Sequence, residues 1–360
     1  GRSTTWGPHP PRRAEPHTAR SHPGPRHRSC RCQPGDTAIV TTAPQPSFFL
    51  AGVAKCGTTS LWWMLRESPS LFLPLRKEPN HFAPDLDSVA LPEYRPLSRA
   101  DYLALFRDAA PGQVCGEGSV AYIESPEAMA RIAAFDPDAR IVLLFREPVA
   151  CIQSHHQQML HLGIEDRPDL GEALALEDKR RAGRCLPAGA HGTTRFFEYR
   201  SRVKYIEMLD RAAAVFPDEQ ILCVLLDDLN EHTDATMARI LDFIGTDDAG
   251  GHRPLHVNRT PALPWNHPVR HPDLSDWVRR RGRELPIAFE PPRQFLGRTR
   301  FKPPKPPRPE VVTALRQELC PGVAAFARRI GRDLPTLWGY DPPTGPPPGA
   351  WSSRITAPHS

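Results

Sequence analysis

One segment of the sequence has the residue types and the spacing of a phosphate-binding loop. Gly52 and Gly57 are separated by four residues, Lys55 lies between them, and a Thr-Thr-Ser run follows at residues 58–60. Glycine-rich loops that lead into a helix direct backbone N–H groups at phosphate oxygens. The spacing therefore predicts that this segment binds a phosphate group.

The position of the lysine distinguishes this loop from that of nucleoside triphosphatases. In their pattern, G-x-x-x-x-G-K-[ST], the lysine follows the second glycine and reaches the β- and γ-phosphates. Thr58 occupies that position here, and the lysine stands three residues earlier, at Lys55. A lysine inside the loop is suited to lie beside a leaving group that is attached directly to a 5′-phosphate.

A second cation is expected near the loop, at the end of a later apolar strand. Triphosphatases use an Asp to hold magnesium in the corresponding place, whereas the strand at residues 141–145 is followed by Arg146. Arg grips phosphate groups through paired hydrogen bonds. Ser154 lies eight residues further on, which is about two helical turns. We therefore expect Arg146 and Ser154 to converge on one anion.

Short apolar segments alternate with segments of helical periodicity along the chain. We predict strands at residues 48–51, 71–73, 113–116, 141–145 and 221–226, and helices at residues 59–67, 125–134, 148–160, 200–216, 235–244 and 309–330. Near-continuous apolar strands separated by helices are typical of a parallel sheet that is covered on both faces. The predicted fold is α/β, with three layers and a central parallel sheet. Its ligands bind at the carboxyl edge of the strands.

Together, the two motifs resemble those of sulfotransferases that use 3′-phosphoadenosine 5′-phosphosulfate (PAPS). The 5′-phosphosulfate loop of that family is similar to residues 55–61, and its 3′-phosphate motif is similar to residues 144–155. The resemblance extends over residues 47–340. It implies the sulfotransferase fold, which is similar to that of P-loop-containing nucleoside triphosphate hydrolases, and a PAPS-dependent enzyme.

The resemblance also implies which residues hold PAPS, and it requires no metal. Lys55 would stabilise the leaving oxygen, and one or two cations of the basic loop at residues 298–305 would close over the 3′-phosphate. The predicted donor-binding residues are Lys55, Cys56, Gly57, Thr58, Thr59, Ser60, Arg146, Ser154, Tyr205, Arg298 and Arg300.

The acceptor hydroxyl needs a base, and Glu78 matches the position of one in the family. The strand predicted at residues 71–73 ends only a few residues before Glu78, so its carboxyl end should open beside the loop. Lys55 and Glu78 are the predicted catalytic residues. His81 and Glu117 are rival candidates for the base.

Two further stretches resemble the carbohydrate (heparan-type) branch of the family more than its phenol and steroid branch. They are residues 76–82 and 116–122. The resemblance implies that the acceptor is a hydroxyl, less readily an amine, of a carbohydrate or another small molecule. Gly118 stands where a lysine is common in that branch, and Val120 where a proline is common.

The net charge of the chain is concentrated in one segment. The 360 residues include 46 Lys and Arg against 41 Asp and Glu, which gives a net charge of +5. Residues 1–46 contain seven Arg and two acids and so carry the whole excess. A neutral sum over residues 47–360 argues against nucleic acid as a partner of the folded part. We predict a disordered Pro- and Arg-rich arm at residues 1–46, a sulfotransferase domain at residues 47–340 and a disordered tail at residues 341–360.

The sequence shows neither a membrane-spanning run nor a signal-peptide pattern. Its longest apolar runs, at residues 48–54 and 221–226, are far shorter than the ~18 residues that a span needs. The eight cysteines are scattered, which favours free thiols in a reducing compartment over a disulfide framework. Cys30 and Cys32 lack a second ligand pair for zinc, so no metal site is predicted. We expect a cytoplasmic location, and the sequence makes no prediction of the oligomeric state.

Two alternatives remain beside a sulfotransferase. A P-loop kinase or triphosphatase is disfavoured by Thr58 and by Arg146. A non-enzymatic module could bind an anionic polymer through the basic arm, in which case deletion of residues 1–46 would abolish its function.

Overall fold

Five short apolar segments form a parallel sheet, as the alternation of strands and helices predicts. The computed structural model describes residues 44–86, 95–190, 192–246 and 306–340. Its strands are β1 (Phe48–Gly52), β2 (Leu71–Phe72), β3 (Val114–Glu117), β4 (Arg140–Phe145) and β5 (Ile221–Leu225). They pair in the order β2-β3-β1-β4-β5, and every pairing is parallel. All residues of β1 and β5 are buried, which explains their continuous apolar sequences.

Helices connect the strands and cover the sheet. The connection from β1 to β2 runs toward one edge of the sheet, and those from β3 to β4 and from β4 to β5 run toward the other. Because parallel crossovers are right-handed, the connecting helices lie on both faces, and the predicted three-layer α/β fold is confirmed. The helices are α1 (Thr58–Arg66), α2 (Arg99–Ala104), α3 (Ala128–Phe135), α4 (Pro148–His161), α5 (Leu170–Ala175), α6 (Glu177–Arg181), α7 (Tyr205–Ala213), α8 (Leu226–Glu231), α9 (Thr233–Ile244), α10 (Pro309–Ile330) and α11 (Leu334–Trp338).

Aromatic side chains pack the last long helix against the sheet. The ring of Phe145, at the end of β4, lies 4.5 Å from that of Phe326 on α10 and 5.1 Å from that of Tyr205 on α7. All three side chains are buried. Burial of a large aromatic side chain stabilises the fold by about 1.5–3 kcal/mol, so this contact fixes the end of β4 beneath the two helices.

The helix predicted to start at Ser125 begins three residues later, at Ala128. Ser125 nevertheless stabilises its start, because its hydroxyl accepts hydrogen bonds from the backbone N–H groups of Glu127 (3.1 Å) and Ala128 (3.0 Å). The first predicted turn of the helix is thus a non-helical turn around the serine hydroxyl, and the N-cap of α3 is Glu127.

The helix predicted at residues 200–216 is interrupted in the structure. Ser201–Val203 form a 3₁₀ turn, Lys204 has a non-helical ψ of 63°, and α7 begins only at the next residue. Arg202, in the 3₁₀ turn, forms an ion pair of 2.7 Å with Glu124, a contact that the local sequence pattern does not predict. Similarly, β5 ends one residue earlier than predicted, because Leu226 is the first residue of α8.

Several predictions fall on residues outside the described part of the chain. They are most of the arm (residues 1–43), the tail at residues 341–360, the basic loop with Arg298 and Arg300, and the pair Cys30 and Cys32. Among the described segments, no helix combines the length and the apolar character that a membrane span requires.

Candidate active site

The carboxyl ends of all five strands open onto one cleft. Its volume is about 360 Å³, within the range of about 300–1,000 Å³ that is usual for small-molecule sites. Each strand is followed by at least one residue that lines it: Lys55 after β1, Glu78 after β2, Ala121 after β3, Arg146 after β4 and Leu226 after β5. Residues far apart in the sequence are thus brought to one place by the parallel sheet.

The loop between β1 and α1 has the backbone geometry of an anion-binding turn. Gly57 is the N-cap of α1 and has a φ of 91°, which a residue with a side chain rarely adopts. A Cβ atom at this position would also lie 2.6 Å from Cδ1 of Leu226. The first turn of α1 carries no acidic side chain. The N-terminus of α1 therefore offers the cleft its N–H groups and the positive end of its dipole.

Lys55 lies inside this loop and lines the cleft. Its backbone has a φ of 69°, a left-handed conformation that costs about 1–3 kcal/mol for a residue other than glycine and is common at ligand-binding turns. Burial lowers the pKa of the Lys55 ammonium group, and the charge of Glu78 raises it in part. The ammonium group is therefore poorly solvated and stands to gain from contact with an anion.

Arg146 and Ser154 line the same cleft from β4 and α4. Nη1 of Arg146 donates a hydrogen bond of 3.4 Å to the backbone carbonyl of Lys55, so the guanidinium group lies beside the loop. Ser154 reaches the cleft from the second turn of α4. Glu147, directly after Arg146, caps α4 by accepting a hydrogen bond from the backbone N–H of Ala150.

Cys56, whose side chain is buried within the loop, and Tyr205 lie outside the described lining of the cleft. The hydroxyl of Tyr205 donates a hydrogen bond of 2.8 Å to the carbonyl of Arg146, and it lies 3.8 Å from Sγ of Cys56. Sγ of Cys151 donates to the carbonyl of Ala54 at 3.4 Å. This arrangement gives Tyr205 and Cys56 a role in supporting the loop, whereas their direct contact with the donor stays a prediction.

Glu78 faces the cleft from the segment after β2, and its position is fixed by two contacts. Its backbone N–H donates a hydrogen bond of 2.9 Å to the carbonyl of Gly118, and its Oε1 lies 2.8 Å from Nζ of Lys77. The Glu78 side chain is only 14% exposed. A carboxylate held in this way is suited to accept a proton from a bound hydroxyl group.

The two rival bases lie outside the lining of the cleft. The ring of His81 stacks on Tyr102 at 4.5 Å, and its Nδ1 lies 2.7 Å from the carbonyl of Leu97. Glu117 is fully buried and accepts a hydrogen bond of 2.6 Å from Ser119. Burial raises the pKa of Glu117 to about 7. Of the three candidates, Glu78 alone lines the cleft in the described part of the chain.

Glu117 instead holds the segment that carries Glu78. The Ser119 hydroxyl donates to Glu117 and accepts a hydrogen bond of 3.0 Å from the backbone N–H of Asn80. This chain of contacts connects the end of β3 to the residues just after Glu78. Glu117 therefore helps to position the candidate base indirectly, through Ser119 and Asn80.

The structure explains why a glycine is present at position 118. A Cβ atom there would lie 2.8 Å from Cε3 of Trp62, and the Trp62 side chain is 1% exposed. The ring of Trp62 thus occupies the space into which a side chain at position 118 would extend. A lysine at this position would require the indole ring to move.

Sequence reasoning missed several charged residues of the cleft. Among the described residues, the missed ones are Lys77, Glu124, Arg195 and Arg202. Arg195 and Arg202 fall in a segment with several arginines, where local periodicity cannot distinguish a buried arginine from an exposed one. In the described part of the chain, no cluster of three or more His, Cys, Asp or Glu side chains could hold a metal ion.

Comparison with known proteins decides the family. The family described as "Sulfotransferase domain" matches residues 45–255, which is more than half of the chain. This chain belongs to the sulfotransferase family. The motifs around Lys55 and Arg146, which carry the resemblance in the sequence, both lie within the matched residues.

Curated sulfotransferases align with part of this chain. Human heparan sulfate glucosamine 3-O-sulfotransferase 3A1 is 26% identical over 238 residues, which cover 64% of this chain and 52% of that protein. Human heparan sulfate glucosamine 3-O-sulfotransferase 6 is 27% identical over 222 residues, which cover 61% of this chain and 58% of that protein. The chain thus spans about half the length of the curated relatives it matches.

A solved sulfotransferase shares the fold. The crystal structure of a sulfotransferase from Alicyclobacillus acidocaldarius matches with a TM-score of 0.60 at 21% identity, covering 82% of this chain and 99% of that one. The predicted sulfotransferase fold is thereby confirmed. The roles of the individual site residues stay predictions.

Proposed function

We propose that this protein transfers a sulfuryl group from PAPS to a hydroxyl group of a carbohydrate or another small-molecule acceptor. The observation that carries the proposal is the single cleft that joins Lys55, Arg146 and Glu78. Membership of the sulfotransferase family supports the reaction type and PAPS as the donor.

The loop and Arg146 would bind the donor. The N-terminus of α1 suits the 5′-phosphate, because its N–H groups point out of the helix and no acidic side chain lies in its first turn. Arg146 and Ser154, on the neighbouring strand and helix, are the residues proposed for the 3′-phosphate. Lys55 lies inside the loop and lines the cleft, where it would neutralise the charge that develops on the leaving phosphate oxygen.

Glu78 would act as the general base. As the acceptor oxygen forms its bond to sulfur, the bond between sulfur and the 5′-phosphate oxygen breaks, and the proton of the acceptor hydroxyl passes to the Glu78 carboxylate. Adenosine 3′,5′-bisphosphate and the sulfated acceptor leave. The ion pair with Lys77 at 2.8 Å would hold the carboxylate in place before the acceptor binds.

A carbohydrate acceptor is favoured by the relatives. The proteins named heparan sulfate glucosamine 3-O-sulfotransferases act on a sugar hydroxyl, as their names state. An openly accessible cleft at a sheet edge is compatible with a sugar that extends beyond it.

A thermal-shift experiment tests the donor site. We expect adenosine 3′,5′-bisphosphate to raise the melting temperature of the whole chain without magnesium, since a ligand at about 100 times its Kd stabilises the folded state by about 2.7 kcal/mol. Mg·ATP should raise it much less. If Mg·ATP alone protects the protein, a kinase or triphosphatase replaces the proposal.

The transfer itself is tested with PAPS and a carbohydrate mixture. Mass spectrometry should detect products that have gained one SO₃, and the gain should disappear when PAPS is replaced by adenosine 3′,5′-bisphosphate. A chain that lacks residues 1–46 should keep the activity. Loss of all function in that truncated chain would favour the anionic-polymer-binding module.

A further inference from the structure

Arg195 is a cationic side chain of the cleft that has no part in the mechanism above. Arg195 lies in the 3₁₀ turn Arg195–Phe197 and lines the cleft. Its Nε and Nη1 atoms are shielded from solvent and meet no hydrogen-bond acceptor among the described residues. Shielded guanidinium N–H groups without an acceptor are costly, whereas pairing with an oxyanion satisfies two donors at once.

The turn that carries Arg195 is held from two sides. Nη2 of Arg202 donates a hydrogen bond of 3.3 Å to the carbonyl of Arg195, and Nε2 of His155 lies 2.8 Å from the carbonyl of Phe196. Arg202 is itself paired with Glu124 at 2.7 Å. The Glu124 carboxylate is therefore engaged by Arg202, and no ion pair joins Arg195 to a carboxylate within the described part of the chain.

The charges around the cleft leave Arg195 in excess. Within the described residues, the cleft is lined by five cationic side chains and two carboxylates, which are Lys55, Lys77, Arg146, Arg195 and Arg202, and Glu78 and Glu124. The carboxylates are paired with Lys77 and Arg202. Since Lys55 and Arg146 are proposed to face the donor, Arg195 is the cation that remains for another ligand.

Arg195 and the candidate base Glu78 line the same cleft. Burial lowers the pKa of Arg195, and the charges of Glu124 and, less strongly, of Glu78 raise it in part. Phe196, the next residue, also lines the cleft and lies under the guanidinium group, with Cζ of Arg195 5.1 Å from the ring centre. The guanidinium group is thus within electrostatic reach of the candidate base.

We propose that Arg195 is a specificity-determining residue, which binds a carboxylate or sulfate group of the acceptor beside the hydroxyl that Glu78 deprotonates. This inference rests on the proposed function and narrows its substrate class. An acceptor that carries its own oxyanion is bound in preference to a neutral acceptor of the same shape.

Binding of small anions tests this role without turnover. With the donor site filled by adenosine 3′,5′-bisphosphate, the melting temperature is followed while inorganic sulfate, D-glucuronate or D-glucose is added. D-glucose differs from D-glucuronate only in having CH₂OH in place of the carboxylate. We expect sulfate and D-glucuronate to raise the melting temperature further, and D-glucose to have no effect.

Variants assign the effect to one side chain. Arg195→Gln should weaken the binding of both anions at least tenfold, and Arg195→Lys should weaken it less. Arg131→Gln is the matched control, because Arg131 is half-exposed on α3 and pairs with Glu127. If Arg195→Gln fails to fold, the anion affinities of the wild type and Arg195→Lys are compared instead. Together with the D-glucuronate and D-glucose titrations, this comparison still tests whether Arg195 binds the anions.

Three results would overturn the inference: no response of the wild type to either anion, an equal response to D-glucose, or unchanged anion affinity in Arg195→Gln. Failure of the bisphosphate to bind would instead overturn the proposed function. In that case the same anion titrations without the bisphosphate, on the wild type and Arg195→Gln, still test Arg195.

Discussion

Arg146 donates a hydrogen bond of 3.4 Å from Nη1 to the backbone carbonyl of Lys55. The contact joins the end of β4 to the loop after β1, and β1 and β4 are neighbouring strands of the sheet. The Arg146 side chain contacts the backbone of Lys55 and not its ammonium group. The direction of the Lys55 side chain is therefore set by the left-handed backbone conformation of Lys55 itself. The guanidinium group of Arg146 is thus linked to the loop that carries Lys55.

Removal of the arginine should weaken donor binding more than it weakens turnover. Hydrogen bonds to charged groups contribute about 1.5–3 kcal/mol, so Arg146→Ala is expected to raise the KM for PAPS by about 10- to 100-fold. Isothermal titration with adenosine 3′,5′-bisphosphate measures the same loss. Arg131→Ala, a surface substitution on α3, should leave both values unchanged, and a normal KM in Arg146→Ala would remove Arg146 from the donor site.

Lys55→Ala should act mainly on kcat. Deletion of one preorganised group that stabilises developing charge costs about 10²- to 10³-fold in rate, and the loop N–H groups remain to bind the donor. Steady-state kinetics together with a circular dichroism spectrum would check this expectation. Lys179→Ala, on the exposed side of α6, serves as the control. A Lys55→Ala enzyme with normal kcat would contradict the proposed role.

Glu78→Gln should lower kcat while donor affinity is kept. A positioned general base contributes about 10²- to 10⁴-fold, and glutamine keeps the size of the side chain without its ability to accept the proton. Rates at saturating PAPS and binding of adenosine 3′,5′-bisphosphate give the two readouts. Glu67→Gln, at an exposed position after α1, is the matched control. Full activity in Glu78→Gln would exclude Glu78 as the base.

Two tyrosines allow a test of the support of the loop. Tyr205→Phe deletes the hydrogen bond of 2.8 Å to the carbonyl of Arg146, at a cost of about 1 kcal/mol in the free energy of unfolding. It should also raise the KM for PAPS severalfold. Tyr199 is equally buried, but its hydroxyl bonds to Glu165 away from the cleft. Tyr199→Phe should therefore destabilise the protein without changing that KM, and equal KM effects in both variants would refute the idea.

Glu117 should make stability depend on pH in a defined direction. Burial raises its pKa in the folded protein to about 7, from 4.5. Between these values the folded state keeps a proton that the unfolded chain has lost, so stability falls as pH rises, by about 1.4 kcal/mol per pH unit. The contribution is complete at low pH and is lost by about pH 7.

Urea unfolding of Glu117→Gln and wild type at pH 4.5 and pH 8 measures this effect. Glutamine does not titrate and can still accept the hydrogen bond from Ser119. The variant should gain about 3 kcal/mol relative to the wild type between the two pH values. An unchanged difference would show that Glu117 ionises at its ordinary pKa.

Features that depend on local sequence could be predicted well. The loop around Lys55 and the strand before Arg146 depend on neighbouring residues, and their elements lie within two residues of the predicted bounds. The last long helix was predicted with its bounds, Pro309–Ile330, because a proline opens it and Gly331 ends it.

Features that depend on contacts between residues far apart in the sequence could not be predicted. The sequence predicts Glu78 as the base with His81 and Glu117 as rivals, and the fold separates the three residues. His81 is directed away by Tyr102 and by the carbonyl of Leu97, from a segment 16 residues later in the chain. The interruption at Lys204 likewise accompanies the pairing of Arg202 with Glu124, 78 residues earlier. Periodicity carries no information on such pairings.

The two buried thiols of Cys56 and Cys151 make the opening of the loop measurable. Sγ of Cys56 and Sγ of Cys151 lie 3.9 Å apart and are shielded from solvent, whereas Cys185 is exposed. An alkylating reagent reaches Cys185 at once but reaches Cys56 only during local unfolding. The labelling rate of Cys56 relative to that of Cys185, measured by peptide mass, therefore reports how often the loop opens. A molecule that occupies the cleft lowers the labelling rate of Cys56, even when it undergoes no reaction.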